Sequence, residues 1–249
     1  EMLTLQLLSL SERPLGPVDA ISQISDYTPR FVEFMEKLAV SYNINIIGGT
    51  HPSQMANGEI LNVCHVFLRD GSVHTQQKLH PTPSERHWWN IQGGRGNSVI
   101  QTDCGPIGVM ICYDSEFPLL GRALSDCDVI CVPSVTETLA GYWRVRIGSM
   151  ARALENQCIT AMSSVVGAAD WSEALGQSFG AGGIFCPPDR GFPPTGILGL
   201  CEVNAPGWTI AQADLAQVAE VRADGIVLNR RDWQDQIGRD GKAINVALR

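Results

Sequence analysis

SVIQTDCGPIGVMICYDSEFPLLGRALSDCDVICVPS, residues 98–134, holds both kinds of connection on which the fold class turns. Its first half reads as two strands joined tightly around Gly105-Pro106. Its second half reads as strand, short helix, strand: GVMIC, then EFPLLGRALSD, then DVICVPS. Upstream, ILNVCHVFLRDGSVHTQQK is a hairpin turning at Asp70-Gly71. Before it, YTPRFVEFMEKLAVSYN reads as a helix capped by Thr28, with Phe31, Phe34, Met35 and Leu38 at helical spacing, and INIIGG as a buried strand. Downstream come the helix YWRVRIGSMARALENQ and the strand CITAMSSVV. FGAGGIFCPPDRGFPPTG reads as loops around one short strand, and GWTIAQADLAQVAEVRADG as a strand and a helical turn. Hairpins and strand–helix–strand units in this mixture do not fit one sheet with helices on both faces. Two sheets packed face to face, with helices outside each, accommodate them. The expected class is α/β, a four-layer αββα sandwich of two packed sheets with outer helices, forming one domain over residues 1–249.

The bulk composition supports a core and excludes several partners. The 249 residues are 44% hydrophobic, enough for a sizeable interior. A net charge of −8 argues against nucleic acid and anionic membrane as partners. No apolar run approaches the ~20 residues that span a bilayer, and no signal-peptide pattern opens the chain. Most of the eight cysteines sit in apolar runs such as NVCHVF and DVICVP, where a free thiol behaves as a small hydrophobe. A chain of this size needs no disulfide staples, so a reducing cytoplasm is expected. No CxxC or clustered His/Cys pattern supports a metal site, and no metal or other cofactor is expected.

The segment GVMICYDSEFP, residues 108–118, carries the chemistry. With eight cysteines, any single one is most often structural. Cys112 differs because its apolar run ends abruptly in YDSEFP. The end of a buried strand is a rigid mount for a nucleophile. A thiol there needs a base, and the attacked carbon needs donors for its oxyanion. Histidine is the usual partner, and His80 in QQKLHPTPSER is one candidate. The same segment offers another pair: Lys78 at a strand end and Glu85 beyond a proline-stiffened loop. Alone, that lysine would read as a solvated residue at a sheet edge.

Together, KLHPTPSE, GVMICYDSEFP and RVRIGSMARALENQ resemble the nitrilase superfamily of carbon–nitrogen hydrolases, over essentially the whole chain. LTLQLLSL, NIIGG and TDCGPIGVMICYDSEFP are most similar to the bacterial branch often fused to an acetyltransferase domain. The resemblance implies a Glu–Lys–Cys triad. Lys78 and Cys112 are 34 residues apart, which suits the family. The triad's glutamate then aligns with Glu1, and the strand and helix that normally precede it are expected to lie outside the chain. Glu12, Glu33 and Glu36 are weaker candidates for the base.

By the resemblance, Glu1 is the base, Cys112 the nucleophile, and Glu85 positions substrate and lysine. Lys78 and the backbone N–H of Tyr113 hold the oxyanion. The substrate is a small-molecule amide, less readily a nitrile, and the assembly a homodimer or higher homo-oligomer. Asp114 and Glu116 are expected to fix the turn at Cys112. Ser134, Thr136 and Glu137, after the next strand, are candidate substrate contacts. Trp88 and Trp89 are candidate pocket walls, and Arg152 and Glu155 a structural ion pair. Two rivals stand beside this reading: a catalytically silent binding or scaffold module, and a Cys–His hydrolase using His80.

Overall fold

The computed structural model describes residues 1–10, 15–169, 176–239 and 241; Glu12 lies outside them. A 3-10 helix at Leu3–Leu10 opens the chain, followed by α1 (Pro17–Ser25) and α2 (Thr28–Tyr42). Both helices start with proline in the first turn, where its fixed φ suits the helix and no amide proton is needed. Thr28 does not cap α2. Its hydroxyl donates to Ser25 O at 2.6 Å and stitches α2 to the end of α1.

The first sheet is an antiparallel meander of β1 (Ile46–Gln54), β2 (Ile60–Phe67) and β3 (Val73–Gln77). The expected hairpin joins the last two, with Gly71 at φ +88° in its turn. The helices α1 and α2 cover the outer face of this sheet. The lysine loop, for which the sequence predicts no helix, forms the short helix α3 (Pro83–Trp88).

The second sheet contains β4 (Ile100–Thr102), β5 (Gly105–Val109), β6 (Val129–Ser134), β7 (Ile159–Ser164), β10 (Gly183–Phe185) and β11 (Ile197–Leu200). Their order is β11-β10-β7-β6-β5-β4. The inner three run parallel, and the flanking pairs are antiparallel. Parallel neighbours need crossovers. Helix α4 (Pro118–Ala123) joins β5 to β6, and α5 (Leu139–Asn156) joins β6 to β7. A two-stranded ribbon, β8 (Gly167–Ala168) with β9 (Gln177–Ser178), stands apart. The chain continues into α6 (Leu215–Asp224) and α7 (Asn229–Asp232).

One apolar core unites the layers. Cys64 and Val66 of β2 share it with Val109, Met110, Ile130 and Val132 of the second sheet and with Tyr142 and Val145 of α5. The architecture is thus α/β, with two packed sheets and helices outside each. The strand expected before α6 does not form. Trp208 and Ile210 stay 88% and 85% exposed, and residues 205–214 form no strand with the described residues. Asp214 caps α6 instead, accepting from Ala216 N at 2.9 Å. All eight cysteines are free. No helix among the described residues is long and apolar enough to cross a membrane.

Candidate active site

β5 ends at Val109, and its ladder runs one bond further, from Met110 N to Cys131 O. The chain then turns into a 3-10 helix over Cys112–Glu116. Cys112 opens that turn at φ +48°, a left-handed conformation that costs a non-glycine residue free energy. Cys112 and Tyr113 occupy the first two helical positions, where N–H groups have no intrahelical partner. The first bond of the turn is Asp114 N to Ile111 O at 3.0 Å. Ser115 Oγ closes it by donating to Cys112 O at 2.7 Å.

Asp114 ties this elbow to the lysine. Its carboxylate accepts from His80 N at 2.8 Å and Leu79 N at 3.1 Å, the two amides that follow Lys78. Burial pushes the Asp114 carboxyl above its usual value, against the pull of those amides. Glu116 lies at the rim and faces Arg144 at 3.4 Å. His80 stacks on Phe117 with ring centroids 4.2 Å apart and does not line the cavity above Cys112.

Lys78 is 1% exposed and lies between two carboxylates. Its Nζ donates to Glu1 Oε1 and to Glu85 Oε2, each at 2.7 Å. Glu85 is placed by a capping box. It accepts from Thr82 N at 2.7 Å, while its own N donates to Thr82 Oγ1. Asn62, fully buried in β2, bridges the acids: its Nδ2 lies 2.8 Å from Glu1 Oε1 and 3.1 Å from Glu85 Oε1. Val135 completes the set. Its N donates to Glu1 Oε2 at 3.1 Å, and its O accepts from Cys112 Sγ at 3.5 Å.

The electrostatics follow from this packing. Burial alone would raise Glu1, but the Lys78 ammonium, which also donates a hydrogen bond to it, pulls the carboxyl below its usual value. Burial would lower Lys78, but Glu1 and Glu85 together raise it. The Cys112 thiol is pushed up, first by burial and then by the Glu1 charge. The resting site therefore holds a carboxylate, an ammonium and a neutral thiol. Removing these ions from water costs several kcal/mol each. Two acids around one ammonium are a poor device for stability, and a natural one for proton transfer.

A cavity of about 430 Å³ opens over this floor. Glu1, Lys78, Glu85 and Cys112 line its base, and Pro17, Trp88, Trp89 and Glu137 line its walls. Of the three candidate contacts after β6, only Glu137 reaches it. Ser134 Oγ is within 3.3 Å of Ser163 O and 3.0 Å of Ser164 Oγ, and Thr136 Oγ1 donates to Phe179 O at 2.7 Å. Glu33 pairs with Lys37 on an exposed helix face. Arg152 pairs with Glu155 at 3.1 Å and donates to Ser115 O at 3.3 Å, so the pair also buttresses the elbow. Sequence reasoning missed Asn62 and Val135. An asparagine inside ILNVCHVF was a readable signal, whereas a backbone N–H has no side-chain signature.

The carbon–nitrogen hydrolase family model matches residues 17–183, and the chain belongs to that family. It is 41% identical to "Probable hydrolase YhcX" of Bacillus subtilis over 239 residues, covering 95% of this chain and 46% of that protein. It spans about half the length of the curated relatives it matches. Its fold is similar to a carbon–nitrogen hydrolase from Helicobacter pylori, with a TM-score of 0.75 and 19% identity, covering 90% of this chain and 80% of that one. It is similar too to an amidase of Nesterenkonia, with a TM-score of 0.68 and 18% identity, covering 90% and 78%. That structure shows covalent addition of the acetamide moiety of fluoroacetamide at the active-site cysteine.

Proposed function

We propose that the chain hydrolyses a small-molecule amide through an acyl-enzyme on Cys112. The observation that carries this is the buried Glu1–Lys78–Glu85 cluster beside Cys112, on the floor of a cavity large enough for a small ligand. As Cys112 Sγ attacks the carbonyl carbon, its proton passes to Glu1. Lys78 and the Tyr113 N–H face the oxyanion, while Glu85 and Asn62 hold Lys78 and Glu1 in register. Collapse breaks the C–N bond, and Glu1 returns the proton to the departing ammonia or amine. Glu1 then takes a proton from water as that water attacks the thioester, which releases the acid and restores the thiol. No group in this cycle must change charge except Glu1 and the thiol.

Amide is favoured over nitrile because most of the relatives are named as amidases, one being named a probable nitrilase, and nothing in this cavity selects a nitrile. The reading extends to one domain over residues 1–249, a homo-oligomer, and a cytoplasmic location, the last resting on the free thiols. The test is incubation with fluoroacetamide and a panel of primary amides, scored by intact mass and ammonia release. The expected result is one acetamide group from fluoroacetamide on the Cys112 sulfur, with fluoride as the leaving group, and ammonia released from an amide of the panel, both lost in Cys112→Ala. An unmodified Cys112 with no ammonia from any amide favours the silent module.

A further inference from the structure

The walls of the cavity point to the kind of amide, an inference that rests on the amidase reading. Among the described residues that line it, the charged side chains are Glu1, Glu85, Glu137 and Lys78. Lys78 already holds both Glu1 and Glu85 at 2.7 Å. Glu137 is different. It sits in the loop between β6 and α5, is exposed at the mouth, and has no ion-pair or hydrogen-bond partner among the described residues. Trp88 stands on the same cavity with 58% of its surface exposed, so an indole face is offered to whatever enters. A carboxylate-bearing substrate would meet a second carboxylate there and, among the described residues, no uncommitted cation. A cation would meet an acid, an aromatic face and a cavity of net negative charge.

We infer that the substrate is a primary amide whose far end carries an ammonium or guanidinium group, and that Glu137 is the residue that selects it. The cation docks on Glu137 beside Trp88, and the carboxamide reaches down to Cys112. Glu137 touches neither the nucleophile nor its base, so its contribution is to binding and shows in KM.

The test uses matched amides on the full chain: 4-aminobutanamide, its neutral isostere pentanamide, and succinamate, with one-carbon-longer homologues of each. Turnover by the native chain is read as kcat/KM, and binding to Cys112→Ala is read as Kd by calorimetry. The expected result is a tenfold or greater preference for the ammonium amide over its neutral isostere, carried by KM and shrinking with added salt. In Glu137→Gln the ratio falls toward one, and in Glu137→Lys it inverts toward succinamate. Equal or better use of pentanamide by the native chain overturns the inference, as does a preference that survives Glu137→Gln. If no amide turns over but Cys112→Ala still binds the ammonium amide in a Glu137-dependent way, the amidase reading fails and the cation site stands.

Discussion

Lys78 holds two carboxylates where almost no water reaches it, so its removal acts twice. Lys78→Met takes one donor from the oxyanion, and kcat should fall by about 10²–10³-fold. It also leaves Glu1 and Glu85 buried without their cation, and stability should drop by about 3 kcal/mol or more. Ammonia release and urea unfolding separate the two effects; a Lys78→Met chain with native turnover would remove lysine from the mechanism. Cys112 makes a second prediction. Because burial and Glu1 push its thiol up, it stays protonated through the pH range where a free thiol ionises, near ~8.5. Its alkylation by iodoacetamide should follow Glu1 as base and stay nearly flat between about pH 6 and 9. A small free thiol gains about tenfold per unit over the lower part of that range. Labelling of Cys112 that climbs like the free thiol would show that Glu1 is not acting on it. On the acid side, activity should be lost only below the usual carboxylate range, since the Glu1 carboxyl is held down.

Three elements meet at the elbow, and each fixes it differently. The strand β5 delivers Cys112, the Asp114 carboxylate clamps the two amides after β3, and α5 packs on the outside. Helix α5 comes so close that a Cβ on Gly148 would stand 2.7 Å from Ser115 O. Gly148→Val should therefore push the elbow and cost about 1–3 kcal/mol, with a fall in kcat larger than any change in KM. Thermal melting and steady-state kinetics on an amide check this; unchanged kcat in a folded Gly148→Val chain would mean that α5 does not set the nucleophile. Legibility also varied by element. The Asp70-Gly71 hairpin and β4, β5, β6, β7 and β10 of the second sheet follow local turn chemistry and apolar runs, and they were readable; β11 was not read. Helix α3 is six residues long, too short for a periodic signal, so the capping-box pattern Thr82-Pro83-Ser84-Glu85 stood in the sequence with no helical period behind it. The stretch from Trp208 to Ile210 has strand-like residues, yet it lies against β10 and β11 through Thr209 without pairing as a strand.

At the scale of the molecule, the helical layer outside the first sheet rests on two buried histidines. His51 of β1 stacks on Phe31 of α2 at 5.1 Å, and its Nδ1 lies 2.9 Å from Thr4 Oγ1. Burial, with His65 nearby, lowers its pKa from 6.5 to about 4. The folded state thus prefers neutral His51 while the unfolded state binds a proton below 6.5. Its contribution is complete above pH 6.5 and is lost as the pH falls from 6.5 toward 4, by up to about 3 kcal/mol. Urea midpoints at pH 7.5 and 4.5 should differ less in His51→Gln than in the native chain. An equal loss in both would assign the acid sensitivity to the buried acids of the active site.

Sequence alone determined the fold class, since strand and helix periods are local and only one layering accommodates their order. It also singled out Cys112 by the abrupt end of its apolar run, and Lys78, Glu85 and Glu1 through the family resemblance that its short motifs carry. Tertiary structure decided which residues share the cavity. It joined Glu1 to Lys78 across 77 residues of chain and Lys78 to Glu85, set Cys112 on the same cavity, added Asn62 and the Val135 peptide, kept Glu137, and turned Ser134 and Thr136 into bonds elsewhere. The direction of a side chain in a loop is set by neighbours distant in sequence, and no local pattern encodes it.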